Sequence, residues 1–312
     1  MKFYTSVLPY RGRLLVRGVD KDGAQKKYRI NYKPSLFVPV GKETKYKTLD
    51  GRYVERIKFD SMPEATKWVN EYKNVTNFEY FGNTRHQYPF IADEFKGKID
   101  WDMNQIKLLT IDIECESENG FPSPEKADQP LICITVKDHT TKRIIVFGMG
   151  NFVNDRDDVQ YINCVTETGL VETFTKFWVE YNPDIITGWN VKFFDIPYLM
   201  NRFRYLMGDE WLNQFSPWGI VEQKSASVLF ASREQQVWNI MGVDTLDYLD
   251  LYRKFTFVRR ESYKLDYIGE VELGQNKLDN PYDTFKEFYS NDYQRFVEYN
   301  IQDVELVDKL ED

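Results

Sequence analysis

The sequence is poor in the residues that soft-metal and nucleophilic sites rely on. It has two histidines, His86 and His139, and three cysteines, Cys115, Cys133 and Cys164, in 312 residues. The cysteines are odd in number and far apart, so they fit neither a disulfide framework nor a zinc knuckle. They point instead to a cytosolic protein with reduced thiols. No run of about 18 apolar residues occurs, so no transmembrane helix is expected and no membrane partner. The opening Met1-Lys2-Phe3-Tyr4-Thr5 lacks the apolar stretch of a signal peptide. Internal repeats and low-complexity tracts are also absent.

What the chain does have is length for one large or two moderate domains, and an aromatic content of 16% that suits both a core and base stacking. Its net charge of −8 is unevenly spread. Residues 1–104 hold 20 Lys and Arg against 13 Asp and Glu, whereas the remainder holds 21 against 36. A basic first part, net +7, joined to an acidic remainder, net −15, suggests two domains with different work. The boundary is placed at residues 104/105. The basic part is suited to a polyanion, although a small domain also reaches such an excess by chance. The acidic part needs cations before it can approach phosphate.

Residues 1–60 read as short strands, with an Asp-Gly hairpin signal at Val19–Gly23. Ser61-Met62-Pro63-Glu64 has the form of a capping box, opening a helix to about Tyr72. Residues 73–104 read as an irregular aromatic-rich connection. Together these make a smaller mixed α+β amino-terminal domain. In residues 105–312, strands are expected up to Glu114, near 131–137, near 143–149 and at 184–188. Helices are expected over 168–180, from Asp195 to Met207, and from Asp292 to Leu310. A hairpin is expected over 226–241, with its tip near Ser232-Arg233-Glu234. Strands followed by helices make this an α/β domain with a mixed sheet and flanking helices.

Chemistry enters with Asp112-Ile113-Glu114 at the end of the apolar run Ile106–Ile111. On a strand, residues two apart share a face. Two acids held so repel each other, and a hard divalent cation relieves that cost. Alone, the pair says little, because an exposed Asp-x-Glu on an edge strand is commoner than a metal site. Asp195 follows Asn190-Val191-Lys192-Phe193-Phe194 at a strand-to-helix turn, where ligands of open α/β sheets bind but where an Asp also serves simply as a cap. Tyr299 and Asp303, four apart on the last helix, stand one above the other on a side that also bears Phe296 and Leu306. That side points inward, and an inward Asp needs a partner. Tyr299 itself could be that partner.

Taken together, Asp-x-Glu, then Asn-x-x-x-Phe-Asp, then Tyr-x-x-x-Asp on a late helix resemble the three exonuclease motifs of the four-carboxylate proofreading exonucleases. Those enzymes have a ribonuclease-H-like fold. Tyr299 in place of a histidine marks the tyrosine subclass, and neither histidine of this chain lies in that helix. The segments Tyr32–Phe37, Gly120-Phe121-Pro122, Thr187-Gly188-Trp189-Asn190, Phe194–Tyr198, Leu246–Tyr252 and Tyr263–Ile268 are similar to the amino-terminal part of family B DNA polymerases of T-even-type bacteriophages. That resemblance covers essentially the whole chain. The polymerase signatures Asp-x-x-Ser-Leu-Tyr-Pro-Ser and Tyr-x-Asp-Thr-Asp-Ser do not occur, so this chain is not expected to extend DNA by itself. A separate chain carrying the polymerase domain is a candidate partner.

The resemblance implies a 3′–5′ exonuclease acting on single-stranded or frayed DNA 3′ ends in the cytoplasm of an infected bacterial host. It implies two Mg²⁺ or Mn²⁺ ions, a pairing that in two-metal enzymes sits about 3.5–4 Å apart. Asp112 would bridge both ions, Glu114 and Asp303 would hold the one that activates water, and Asp195 would hold the second. Tyr299 would position the water, since a phenol of ordinary pKa near 10 is a poor base. Among DNA-contact candidates, Phe121 would stack on frayed bases or else tuck into the core. Asn190 sits in the second motif, and Arg233 stands on a hairpin that in the family parts primer from template. Tyr252–Arg260 interleaves basic and aromatic residues, as a single-strand groove does, or else places solvated charges over a packed helix. Asp244, Asp247 and Asp250, three apart, read as a solvated helix face. For the basic amino-terminal domain, the resemblance raises RNA as a partner. The competing reading is a module that binds nucleic acid or a polymerase and is catalytically idle alone. A ribonuclease-H-type endonuclease is a third.

Overall fold

The structure, a computed structural model, describes residues 1–118, 120–228 and 234–311. The chain divides into two compact units, Met1–Gln105 and Ile106–Asp312.

The first unit opens with an antiparallel meander of β1 (Phe3–Tyr10), β2 (Arg13–Val19) and β3 (Gln25–Ile30). Arg11 and Gly12, both at positive φ, make the tight β1–β2 turn that suits strand twist. The Asp-Gly signal produces the next turn. The Asp20 carboxylate accepts from the backbone N–H of Asp22 and of Ala24, both at 3.0 Å. A second small sheet, in the order β4-β6-β5, is built from β4 (Ser35–Pro39), β5 (Tyr46–Lys47) and β6 (Tyr53–Lys58). Helix α1 (Met62–Tyr72) begins where the capping residues predict, with the Ser61 hydroxyl accepting from the Glu64 N–H. The connection that the sequence pattern leaves irregular contains a helix, α2 (Gln87–Glu94).

The second unit is ribonuclease-H-like. Strands β7 (Leu108–Cys115), β8 (Leu131–Asp138), β9 (Ile144–Gly148) and β10 (Val159–Asn163) lead to helix α3 (Glu167–Tyr181). Then come β11 (Ile185–Gly188), α4 (Asp195–Met207), β12 (Val221–Ser227), β13 (Glu234–Ile240) and β14 (Asp244–Asp247). Four helices follow, α5 (Tyr248–Phe255), α6 (Leu265–Leu273), α7 (Phe285–Asn291) and α8 (Tyr293–Glu311). The sheet order is β10-β9-β8-β7-β11-β14. Strand β8 is antiparallel to both neighbours, while β11 is parallel to β7 and to β14. Strands β12 and β13 pair apart as a hairpin. Its tip, with Arg233, lies outside the described residues.

Alternation along β7 sets the two faces of this sheet. Leu109, Ile111, Ile113 and Cys115 enter a core shared with Leu170, Phe174 and Trp178 of α3 and with Leu199 and Phe203 of α4. The intervening positions, which include Asp112 and Glu114, face the other side. There α7 and α8 bring Phe288, Phe296, Val297 and Ile301 against β8 and β9. The paired acids therefore lie on the central strand, beneath the last helix.

Candidate active site

Pleating places Asp112 and Glu114 side by side, and the β7–β8 register puts them directly opposite Thr135 and Cys133. Helix α8 crosses above them. Its apolar positions Phe296, Val297, Ile301 and Val304 are buried, and this holds Tyr299, Asn300 and Asp303 against the sheet. One carboxylate oxygen from each of Asp112, Glu114 and Asp303 can be chosen so that all three lie within 4.8 Å of one another.

Asp195 approaches from the far side of β7. Strand β11 packs so closely on β7 that a Cβ at Gly188 would sit 2.5 Å from the Ile111 carbonyl oxygen, so glycine is required there. The chain then turns through Asn190, at φ 65°, into α4. Asp195 is buried in the first turn of α4 but does not cap it. Its Oδ1 instead accepts the backbone N–H of Ile113, at 3.2 Å, between the two acids of β7. All four acids line one cleft of about 670 Å³, together with Tyr299 and Asn190. Phe121 stands at this cleft 86% exposed, with its ring 5.4 Å from that of Phe194. It is not tucked into the core.

The electrostatics show what the cluster lacks. Burial, then repulsion from Asp195, Asp303 and Glu114, pushes the Asp112 carboxyl well above the usual range. Burial, then the charge of Asp303, raises Glu114 to about 8. Burial raises Asp195 to about 7, against the opposing pull of backbone N–H donors. Burial raises Asp303 to about 6 even with a lysine beside it. Asp303 Oδ1 is also buried without a hydrogen-bond partner. Four oxygen-donor acids, each holding its proton more tightly than usual, and an orphaned carboxylate oxygen form a donor set that fits hard divalent cations.

Several further neighbours complete the site. Lys277 reaches in from the segment after α6, hydrogen-bonded to Asp303 Oδ2 and, at 3.2 Å, to the Tyr299 hydroxyl. Burial disfavours its charge, but Asp303, Tyr299 and Asp112 outweigh that and hold it above the ordinary lysine range. The Gln302 side chain brackets it, donating to the Asn276 carbonyl at 3.0 Å and accepting from the Leu278 N–H. Asn300 joins Asp112 to β8, donating to Asp112 Oδ2 and accepting from Thr135.

Asp247 is a correction to the solvated-face reading. It is buried at the β14–α5 junction, where it accepts the N–H groups of Asn190, Lys192 and Leu249 at 3.0–3.1 Å and so ties down the turn before Asp195. In the segment 252–260, Tyr252 packs against Trp189 and Tyr263, while Phe255 and Phe257 are exposed.

Comparison with known proteins agrees with this picture. The sequence pattern of the family described as DNA polymerase family B, exonuclease domain, matches residues 64–268. That span includes Asp112, Glu114 and Asp195 and stops before Tyr299 and Asp303. The DNA-directed DNA polymerase of Escherichia phage RB69 is 31% identical, over 97% of this chain and 36% of its own length. That of Enterobacteria phage T4 is 29% identical, over 99% of the chain and 37% of its own. The DNA polymerase delta catalytic subunit of Caenorhabditis elegans is 30% identical over 66% of the chain and 20% of its own length. The chain thus spans a little over a third of the length of the two phage relatives.

Proposed function

The chain belongs to the exonuclease-domain family of family B DNA polymerases, and we propose that it hydrolyses nucleotides from single-stranded or frayed DNA 3′ ends. The observation that carries this reading is the convergence of Asp112, Glu114, Asp195 and Asp303 in one cleft, with raised proton affinities and an orphaned Asp303 oxygen. Asp112, Glu114 and Asp303 would hold a first Mg²⁺ or Mn²⁺, and Asp112 with Asp195 a second. Bound there, two such cations supply water activation and neutralise charge on the leaving oxygen.

The remaining work falls to side chains. Burial keeps the Tyr299 phenol protonated above its usual range despite the adjacent Lys277. Tyr299 therefore orients the attacking water by hydrogen bonding and is not its base. The Lys277 ammonium fixes Tyr299 and Asp303 relative to each other and offsets part of the acid cluster's charge. Phe121 offers an exposed ring for the terminal base, and Asn190 lines the same wall. The setting that fits the phage relatives is the interior of an infected bacterial cell. RNA for the basic first unit and a polymerase-bearing partner chain are further partner readings. Filter binding with RNA and co-purification test them.

The deciding experiment incubates a 5′-labelled single-stranded oligonucleotide with Mg²⁺. Stepwise shortening from the 3′ end is expected, lost in the Asp112→Ala/Glu114→Ala protein. No shortening, or equal shortening by that variant, refutes the enzyme reading and leaves the idle binding module. Internal cuts that ignore a blocked 3′ end would make it an endonuclease.

A further inference from the structure

We propose that Thr135, Asn300 and Asp112 form a one-way hydrogen-bond relay that sets the plane of the Asp112 carboxylate, with Thr135 and Asn300 as positioning residues for cation binding. This deepens the reading above and rests on it for the identity of the reaction.

Three features of the structure lead there. The β7–β8 register sets Asp112 directly opposite Thr135 and Glu114 opposite Cys133. Asn300, completely buried, descends from α8 onto both pairs. Its Nδ2 donates to Asp112 Oδ2, and its Oδ1 accepts from Thr135 Oγ1 and, at 3.3 Å, from Cys133 Sγ. Chemistry fixes the direction. A carboxylate that holds a cation is ionised and only accepts, so the amide turns its NH₂ toward Asp112. Its carbonyl then faces a hydroxyl and a thiol, each with a proton to give.

The relay answers a mechanical need. The terminal torsion of an aspartate is broad and soft, so packing alone leaves its carboxylate plane loose. Asp112 also shares one cleft with Glu114, Asp195 and Asp303, and a cation held among them needs the Asp112 oxygens aimed in one direction. An amide from Asn300 holds one oxygen in place, and Thr135 keeps that amide from rotating. Apolar residues surround Asn300 on α8, namely Phe296, Val297, Ile301 and Val304. A buried amide among them is retained at a desolvation cost unless each of its groups is used.

Packing and positioning make opposite predictions for Thr135. Thr135→Val keeps the shape and removes the donor, whereas Thr135→Ser removes a methyl and keeps the donor. The test measures Mn²⁺ binding by the paramagnetic resonance signal of the free ion, beside the single-turnover rate of oligonucleotide shortening. Melting temperatures confirm that each variant is folded. Groups that orient metal ligands typically change affinity or activity by about 10–100-fold when removed. Thr135→Val is expected to weaken Mn²⁺ binding and slow turnover within that range. Thr135→Ser is expected to stay close to the parent, and Asn300→Leu to match or exceed the Val variant. Equal Mn²⁺ affinity in the Val and Ser proteins, or a weaker Ser protein, overturns the relay, as does a parent that binds no Mn²⁺. A parent that binds Mn²⁺ and cuts no DNA overturns the exonuclease reading alone, because the affinity comparison still decides the relay.

Discussion

Raising pH should destabilise the cation-free protein, and a divalent cation should cancel the effect. The sign follows from the acids. Glu114 moves from an ordinary 4.5 to about 8, Asp195 from 3.8 to about 7, and Asp303 from 3.8 to about 6. A carboxyl whose folded pKa is raised binds its proton better folded than unfolded. Below the unfolded value both states are protonated and no difference arises. As pH climbs from about 4 through 8, the folded state must release protons that the unfolded state has already lost, and stability falls. At about 1.4 kcal/mol per pKa unit, Glu114 alone costs on the order of 2–5 kcal/mol across this window. For a unit of this size, each kcal/mol moves the melting temperature by about 2–4 °C. The assay is urea or thermal unfolding in chelator and in Mn²⁺, at pH 5.5 and at pH 8. The expected result is a marked loss of stability at pH 8 in chelator, recovered by Mn²⁺, with a small Mn²⁺ effect at pH 5.5. The Glu114→Gln protein should lose less on going to pH 8. Stability that is flat or rising from pH 5.5 to 8 in chelator, or an equal Mn²⁺ effect at both, would refute the electrostatic account.

Other consequences are separately measurable. Lys277→Met strips the ammonium from between Asp303 and Tyr299. Breaking a buried pair typically costs about 3–5 kcal/mol, so the variant should unfold at lower urea in chelator and shorten DNA more slowly. Phe121→Ala should leave the unfolding midpoint unchanged, because the ring is exposed, yet weaken single-strand affinity by about 1–3 kcal/mol in anisotropy titrations. Asp247→Ala orphans three backbone N–H groups; a capping loss of about 1–2 kcal/mol is the minimum, and exonuclease rate should fall with it as the turn before Asp195 loosens. Arg202→Met leaves Glu167 charged and without its bidentate partner, so it should destabilise by about 3–5 kcal/mol while activity per folded molecule holds.

Local signals carried much of the fold. The Asp-Gly hairpin and the Ser61 cap act over four residues and are written in those residues. Strand β7 and helices α3, α4 and α8 have long apolar patterns with clear ends, such as Asn182 in the left-handed region before Pro183. Helix α2 was invisible for a physical reason. Its N-cap position, His86, makes no side-chain cap bond and its C-cap is Phe95, so neither end is marked. Asp244, Asp247 and Asp250 misled because a spacing of three suits a helix, whereas a strand ends and a helix begins between Asp247 and Tyr248. Lys277 was out of reach, since nothing near it in sequence distinguishes it from a solvated lysine. Its burial comes from Gln302 and Asp303, 25 and 26 residues downstream.

The acids themselves were legible because each breaks a pattern that the fold otherwise enforces. Asp112 and Glu114 interrupt an apolar central strand, and Asp303 interrupts the inward stripe of α8. A polar residue on such a stripe must either find a partner or be paid for by function, and that argument needs no knowledge of the partner. Asn300 breaks the same pattern, sitting on that stripe between Phe296 and Val304. An amide looks more tolerable there than a carboxylate does. Inside a sheet–helix interface an unpaired amide is also costly, and it has two kinds of group to satisfy instead of one. That double demand is what lets Asn300 link a donor on β8 to an acceptor on β7. A leucine there would pack equally well and leave the Asp112 carboxylate unrestrained.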